Sequence, residues 1–264
     1  MKTLKRLIKE GDKVFNTVIR DYFQNGKNNV EFGYTDAVVL GLLENLINHS
    51  KSIVILLENK HHSSLDSILR TVFENFVYLK FIFQKDTTRR ARSYDYSNRI
   101  KIIGLAEKLT EDSMDGVKMR EFLEMGKDTV LKEITKGIDD EFKANTINGY
   151  LKEIGMQRKE QKWYNLDGKT NNLKAVCSQL DLLVQYDLLY PILSIETHGK
   201  NAIRNFSFWE KRVDLLNIMK NEEFYISLSS IYVMESIKLI YSHYKLKKAL
   251  KSFETIFALN VQFK

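Results

Sequence analysis

The sequence predicts an all-α protein, an irregular multi-helix bundle. Proline occurs once, as Pro191, and only 12 glycines occur in 264 residues. At the average usage of about 5%, a chain of this length would contain about a dozen prolines, which interrupt helices. Leu, Ile, Lys and Glu recur at the spacing of amphipathic helices, whereas no period-two pattern persists long enough to predict a strand.

The first four helices follow from their caps and their apolar spacing. An apolar stripe runs from residue 2 to 24 and ends in a polar turn, and Thr35 and Asp36 cap a second helix that reaches about residue 61. The third, residues 63–84, is apolar over most of its circumference and is expected at the centre. Asp86 precedes a fourth helix rich in Arg and Tyr.

The remaining chain divides into a weakly organised middle and a helical end. Five glycines interrupt residues 110–161, so we expect an inserted cap or small subdomain within a single helical domain covering residues 1–264. A helix over 172–186 follows, then one that Asp187 caps with Pro191 in its first turn, where a missing N–H costs little. Long helices begin at Asn221.

Charge and cysteine content restrict the partners and the compartment. The chain carries 41 Lys and Arg against 34 Asp and Glu, a net charge of +7, which suits RNA or another anionic ligand and equally suits plain solubility. Cys177 is the single cysteine, so no intramolecular disulfide forms and we expect a cytoplasmic protein. The longest apolar run, residues 37–43, is too short to cross a membrane.

A polar stripe on the third helix contains the first candidate site residues. Arg70 and Glu74 lie one turn apart on the side that the apolar residues leave free. The stripe is either a solvated face with an ordinary ion pair or the wall of an internal cleft, because so apolar a helix has little access to water.

A second candidate set follows at residues 186–199. Tyr190, Ser194 and His198 are four residues apart, so a helix places two hydroxyls and an imidazole in one column, and Gly199 ends that helix. Histidine exchanges its proton near neutral pH, so the column has the chemistry of a catalytic or ligand site. A helix-terminal histidine at the surface is the alternative.

The fourth helix carries a basic and aromatic stretch. Positive charges with aromatic faces between them suit the phosphates and bases of a single-stranded nucleic acid, although a charged helix face is the commoner explanation. The candidate nucleic-acid-binding residues are Arg89, Arg90, Arg92, Tyr94 and Arg99.

Metal and cofactor signatures are lacking in the sequence. Glu58 and His61 form one Glu-x-x-His, but the second copy that di-iron bundles need does not occur. Paired cysteines, His-Glu-x-x-His and a phosphate-binding glycine loop are also missing, so we expect no metal and no cofactor. His61 and His62 are interpreted as a cation pair at the end of the second helix.

The order of these features resembles a bacterial family of uncharacterised proteins, domain of unknown function 5677. The resembling parts, within residues 60–205, are Leu69-Arg70-Thr71-Val72-Phe73-Glu74, Lys162-Trp163 and the series Tyr186, Tyr190, Ser194, His198, Gly199. The resemblance implies a helical fold and one shared polar constellation at Arg70, Glu74, Tyr190, Ser194 and His198.

The chain is also similar to helical ribonuclease-type effectors of defence and toxin systems, which use an Arg and a His without a metal. Those effectors place Arg shortly before His on one helix, whereas Arg70 is far from His198 here and Arg204 follows it. The leading functional prediction is a metal-independent ribonuclease-like effector of phage-defence or toxin type. One alternative is a non-catalytic sensor for a nucleotide, nucleic acid or phage protein. Another is a scaffold that forms homodimers through its two long C-terminal helices, which carry Tyr225, Tyr232, Tyr241 and Tyr244 among aliphatic residues.

Overall fold

The computed structural model describes residues 1–26, 30–155, 161–197, 206–209, 212–215 and 220–261. The described residues form eleven α-helices, one π-helix and two short strands. Because 76% of the structure is helical and the sheet has only two strands, the all-α multi-helix prediction is confirmed.

The elements are numbered in chain order. The helices are α1 (Lys2–Val18), α2 (Tyr34–Glu58), α3 (Leu65–Gln84), α4 (Thr87–Thr110), α5 (Met114–Phe122), α6 (Lys127–Glu133), α7 (Asp140–Ile154), α8 (Leu173–Gln179), α9 (Leu183–Thr197), α10 (Glu222–His243) and α11 (Lys247–Val261). The π-helix, Ile19–Gln24, continues α1, and the strands are β1 (Phe206–Trp209) and β2 (Arg212–Leu215).

The chain forms two compact units. The first contains Met1–Lys85 and Val176–Lys264, and the second, Asp86–Ala175, is inserted into its sequence. The segment expected as an inserted cap, residues 110–161, falls inside the second unit. Its role as a cap, and the grouping of all 264 residues as one domain, stay predictions.

Helix α3 is central to the first unit, as its apolar circumference predicted. It packs against α2, α9 and α10, and α2 packs in turn against α1 and α10. Each fully buried Leu, Ile, Val or Phe side chain contributes about 1.5–3 kcal/mol of transfer free energy. The buried apolar residues of α3 are Leu65, Leu69, Val72, Phe73, Phe76, Val77, Leu79, Phe81 and Ile82.

Helices α3 and α10 run parallel. Tyr225, near the start of α10, bonds Asp66, near the start of α3. About two turns further along both helices, the ring of Tyr232 lies 5.5 Å from that of Phe73 and 5.0 Å from that of Phe76. This register places the polar stripe of α3 beside α9 and α10.

The C-terminal tyrosines lie in the core of the chain. Each of them is at most 5% exposed, because α10 is already covered by α1, α2 and α3. These tyrosines are therefore not available to a partner, which corrects that part of the prediction, while homodimerisation through the C-terminal helices stays a prediction. The four residues are Tyr225, Tyr232, Tyr241 and Tyr244.

In the second unit, α4 packs against α5, α6 and α7. The buried Arg120 side chain ties α5 to the end of α4, because Nη1 donates to the carbonyl oxygens of Leu109 and Glu111, each at 2.8 Å. Gly116 passes so close to this corner that an added Cβ would lie 2.4 Å from the Glu111 carbonyl oxygen. Only glycine fits there without a backbone shift.

The two sequence segments of the first unit meet where the insertion leaves and returns. The Gln84 side-chain amide, at the end of α3, donates to the carbonyl oxygen of Gln179, at the end of α8, at 2.8 Å. The exit and re-entry points of the chain are therefore neighbours in the first unit.

Two expectations about residues 172–215 are wrong. The helix break lies at Leu180–Leu182, where Asp181 has a left-handed φ of 57° and the Leu182 amide bonds the Cys177 carbonyl, so Pro191 is inside α9 and not in its first turn. Strands β1 and β2 form an antiparallel hairpin that pairs Phe206 with Leu215. Four residues per strand are too few for the alternation to show in the sequence.

Among the described helices, α2 is long and apolar enough to cross a membrane. Half of its apolar window is buried inside the protein, where it packs against α1, α3 and α10. Its place in the core accounts for its apolar composition, and the expectation of no membrane association stays a prediction.

Candidate functional site

The packing of α3 against α9 brings the predicted site residues Arg70, Glu74 and Tyr190 together, and Ser194 lies one turn after Tyr190 on α9. Arg70 Nε donates to Glu74 Oε1 at 2.8 Å, and Nη2 donates to the Tyr190 hydroxyl at 2.5 Å. The guanidinium carbon also lies 4.4 Å from the centre of the Tyr190 ring, a cation–π distance. We call Arg70, Glu74, Tyr190 and Ser194 the Arg70 cluster.

Residues of α9 hold the tyrosine in place. The Tyr186 ring stacks on the Tyr190 ring with centroids 4.7 Å apart and planes at 16°. The Ser194 hydroxyl donates to the Tyr190 carbonyl oxygen one turn back. The hydroxyl proton of Ser194 is therefore used in a backbone hydrogen bond, so its oxygen can only accept from a ligand. The spacing of Tyr190, Ser194 and His198 did not predict this bond.

The cluster is half-buried and its charges are balanced. The Arg70 and Glu74 side chains are 18% and 24% exposed. Burial works to lower the pKa of Arg70, but the hydrogen bond and charge of Glu74 raise it overall, so the guanidinium stays charged. Burial, followed by the Glu74 charge, raises the pKa of Tyr190, so the phenol stays protonated. Neither group is poised to exchange a proton near neutral pH.

One donor of Arg70 is unused. Within the described residues, Nη1 is buried and has no hydrogen-bond partner, a condition that costs about 1–3 kcal/mol. The buried hydroxyls of Ser229 and Tyr232 are in the same condition. Arg70 differs from them because its unused donor is charged and belongs to an assembled polar cluster, so a ligand oxygen is the natural partner.

The fifth predicted member, His198, lies outside the described residues, as does Arg204. The described part of α9 ends at Thr197, the preceding residue. The predicted meeting of Arg70 and His198 therefore stays a prediction.

A second polar cluster lies one turn further toward the start of α3. Asp66 Oδ2 accepts from Lys220 Nζ at 2.8 Å, and Oδ1 accepts from the Tyr225 hydroxyl at 2.5 Å. The Lys220 backbone amide donates to His62 Nδ1 at 3.1 Å. The interpretation of His62 as half of a helix-end cation pair is therefore wrong, because a ring nitrogen that accepts is unprotonated and the ring is only 6% exposed.

Sequence reasoning missed this second cluster although a signal was present. Residues 62, 66, 70 and 74 are four apart and are all ionisable. This spacing alone predicts that the four residues lie on one side of a helix. The partners of His62 and Asp66, however, are Lys220 and Tyr225, which are over 150 positions away. No local pattern points to such partners.

The candidate nucleic-acid-binding residues of α4 have partners within the second unit. Arg89 Nε donates to the Glu153 carbonyl at 2.6 Å, Arg99 Nε lies 2.8 Å from Asp95, and the Tyr94 ring packs edge-on against Trp163. Arg90 is 2% exposed, and burial lowers its pKa. Arg92, half exposed and 3.5 Å from Glu153, is the most accessible of the four arginines. Their role in RNA binding stays a prediction.

The Arg70 cluster lies apart from a shallow surface pocket of the first unit. A shallow pocket of about 370 Å³ lies between α1 and α11, lined by Arg6, Lys9, Glu10, Asp12, Lys13 and Ile256. Its acidic groups already form ion pairs with Lys13 and Lys51. Arg70, in contrast, has a buried donor that no group in the described residues accepts. In the described parts of the chain, no three His, Cys, Asp or Glu side chains are grouped as metal ligands would be.

Comparison with known proteins identifies the family. A model of the family of unknown function DUF5677 matches residues 36–214, more than half of the chain. The chain belongs to the DUF5677 family. The resemblance noted in the sequence is thereby confirmed. The DUF5677 match covers α3 and α9, hence the whole Arg70 cluster and His198, and leaves α1, α10 and α11 outside.

The other two comparisons add no relative with an assigned activity. No curated protein matches the chain, and no solved structure matches it. The similarity of this DUF5677 protein to ribonuclease-type effectors therefore stays a prediction.

Proposed function

We propose that this DUF5677 protein is a metal-independent, ribonuclease-like effector of phage-defence or toxin type that acts on RNA at the Arg70 cluster. Arg70 would bind the phosphate and neutralise the charge that builds on it. His198 would act as general acid or base on the ribose 2′-hydroxyl or the leaving oxygen. The proposal places the protein in the cytoplasm, where its RNA substrate is.

The observation that carries the proposal is the guanidinium group of Arg70. Two of its nitrogens are fixed by Glu74 and Tyr190, while Nη1 is buried without a partner in the described residues. A charged donor held in this way loses little conformational entropy when it binds a phosphate oxygen, so the hydrogen bond contributes more to the free energy of binding.

The neighbouring groups have roles that follow from their bonds. Glu74 orients the guanidinium through Nε. Tyr190 supports its flat face and accepts from Nη2, and burial keeps the phenol protonated, so the tyrosine adds no negative charge beside the ligand. The net charge of +7 raises the local concentration of RNA around the protein.

Cleavage of end-labelled RNA in EDTA tests the proposal. Purified protein is expected to cleave, since no metal is required. Arg70→Ala is expected to lower the rate about 10²–10³-fold, and His198→Ala about 10²–10⁴-fold. His61→Ala is the matched histidine control, because His61 is exposed and bonds the Ser63 hydroxyl. Unchanged cleavage by both site variants would refute the proposal.

A non-catalytic binding module is the second candidate. It is favoured by the finding that Arg70 and Tyr190 keep their protons near neutral pH, so they suit phosphate binding better than proton transfer. In that case His198→Gln retains RNA or nucleotide binding while Arg70→Glu abolishes it, and no cleavage accompanies binding. Loss of affinity with rising salt is expected for either candidate, since both bind an anion.

A further inference from the structure

His62 connects three segments of the first unit. It follows the turn at the end of α2, its Nδ1 accepts the Lys220 amide at 3.1 Å, and its Nε2 lies 3.5 Å from Glu222 Oε1. Lys220 also reaches Asp66 at 2.8 Å through its side chain. A single residue, Lys220, is thus held twice at the start of α3: His62, just before the helix, accepts from its backbone amide, and Asp66, in the first turn, pairs with its ammonium group.

The bond from Lys220 fixes the protonation state of the ring. An imidazole nitrogen accepts a hydrogen bond only when it carries no proton, so the neutral ring must carry its proton on Nε2. The ring is 6% exposed, so water cannot replace the bond while the ring stays in place. A second proton, on Nδ1, would point at the Lys220 amide N–H, and the two N–H groups would repel each other.

Several charged groups surround the ring of His62. Glu222 is the one carboxylate whose contact with the ring is seen in the described residues, but Lys60 already bonds it at 2.9 Å and the N-terminal ammonium group also acts on it. Lys220 brings a further ammonium group, matched by Asp66, whose other oxygen accepts from Tyr225. Each acidic group near the ring therefore has a cationic partner before His62 is charged.

We propose that His62 is a pH-sensitive latch that holds Lys220 on the start of α3 when neutral and releases it when protonated. Imidazole is the side-chain group that changes its charge within the physiological pH range, by taking up a proton as the pH falls. The Lys220 amide then loses its acceptor, and repulsion between the imidazolium and the Lys220 ammonium weakens the contact with Asp66. Asp66, which pairs with the Lys220 ammonium group, lies one helical turn from Arg70 on α3. The latch does not depend on the function proposed for Arg70.

Amide hydrogen exchange at Lys220, followed by NMR on the full-length protein, tests the latch. After correction for intrinsic rates, protection of this amide is expected to fall about tenfold between about pH 7.5 and about pH 5, the loss of one hydrogen bond. The Leu182 amide, which bonds the Cys177 carbonyl at 2.8 Å, is the internal control and should keep its protection. Equal protection of Lys220 at both pH values would overturn the proposal.

The variant His62→Asn separates titration from packing. The asparagine side-chain oxygen takes the place of Nδ1 as acceptor and does not titrate, so its Lys220 amide should show pH-independent protection. A fall equal to that of the parent protein would overturn the proposal. If this variant does not fold, nitrogen chemical shifts of the His62 ring in the parent protein decide, because Nδ1 must be unprotonated at about pH 7.5.

Discussion

The guanidinium group of Arg70 both stacks on the ring of Tyr190 and donates to its hydroxyl, although the two residues are 120 positions apart. One tyrosine thereby fixes both the plane and the direction of the arginine. The pair joins α3 to α9, and its geometry makes separate contributions from the ring and the hydroxyl measurable.

Tyr190→Phe is expected to lower the free energy of unfolding by about 1–2 kcal/mol, because the ring still stacks while Nη2 loses its acceptor. Tyr190→Ala should cost more, and a double-mutant cycle with Arg70→Ala should give a coupling energy of about 0.5–2 kcal/mol. Urea unfolding measures both quantities. The same cycle with the exposed Arg92 in place of Arg70 is the control, and additivity in both cycles would contradict the contact.

Asp66→Asn is expected to destabilise the protein by about 3 kcal/mol, because it leaves the ammonium group of Lys220 nearly buried beside a neutral side chain. The Lys220 and Asp66 side chains are 14% and 11% exposed. Asp12→Asn breaks the ion pair with Lys51, whose side chains are 43% and 37% exposed, and should cost at most about 1 kcal/mol. Thermal or urea unfolding compares the two variants, and similar losses would show that Asp66 is not held as described.

Cys177 is expected to be unreactive in the folded protein. Burial, followed by the charges of Asp187 and Glu74, raises the pKa of its thiol from 9.0 to about 12, so the thiolate is disfavoured. Since this is the single cysteine, a thiol reagent at about pH 8 should modify one group per chain in urea and almost none in buffer. Rapid modification of the folded chain would contradict the burial.

The same thiol makes a signed contribution to stability. A raised pKa in the folded state gives a contribution that is complete below pH 9.0 and is lost as the pH rises toward about 12. The difference in free energy of unfolding between the parent protein and Cys177→Ala should therefore shrink across that range. A difference that grows with pH would show that the sign is wrong.

Gly116 and Gly104 offer a matched pair in the second unit. Gly116→Ala should cost about 1–3 kcal/mol or more, because its Cβ would meet the carbonyl oxygens of Glu111 and Lys108 at 2.4 and 2.8 Å. Gly104→Ala meets nothing within 4 Å inside α4 and should stabilise by about 0.5–1 kcal/mol. Unfolding curves of both variants test this, and a shift in the same direction would exclude the steric explanation.

The sequence predicts local features of this protein well. The bounds of α3 and its pairing of Arg70 with Glu74 follow from spacing within one helix, and both are present. The meeting of Arg70 with Tyr190 was anticipated on the condition that their helices pack, and they do. These features depend on residues a few positions apart, or on two amphipathic helices whose polar stripes must face each other.

Features that depend on distant partners were not predictable. His62 was interpreted as a helix-end cation and the bonds of Asp66 were missed, because Lys220 and Tyr225 give no local sign of where they bind. The burial of the α10 tyrosines depends on which faces α1, α2 and α3 cover. Pro191 was misplaced because the helix break is set by a left-handed residue, Asp181, which no glycine or proline marks.

The bond between Gln84 and Gln179 has a consequence for how the gene product can be rearranged. The polypeptide departs from the first unit and rejoins it at adjoining points, so removal of residues 86–175 would leave two chain ends that lie close together in the first unit. If that segment is removed and a few linker residues join Lys85 to Val176, α3 and α9 should still pack against each other in the shortened chain. A foreign domain whose ends lie close together could be grafted at the same place.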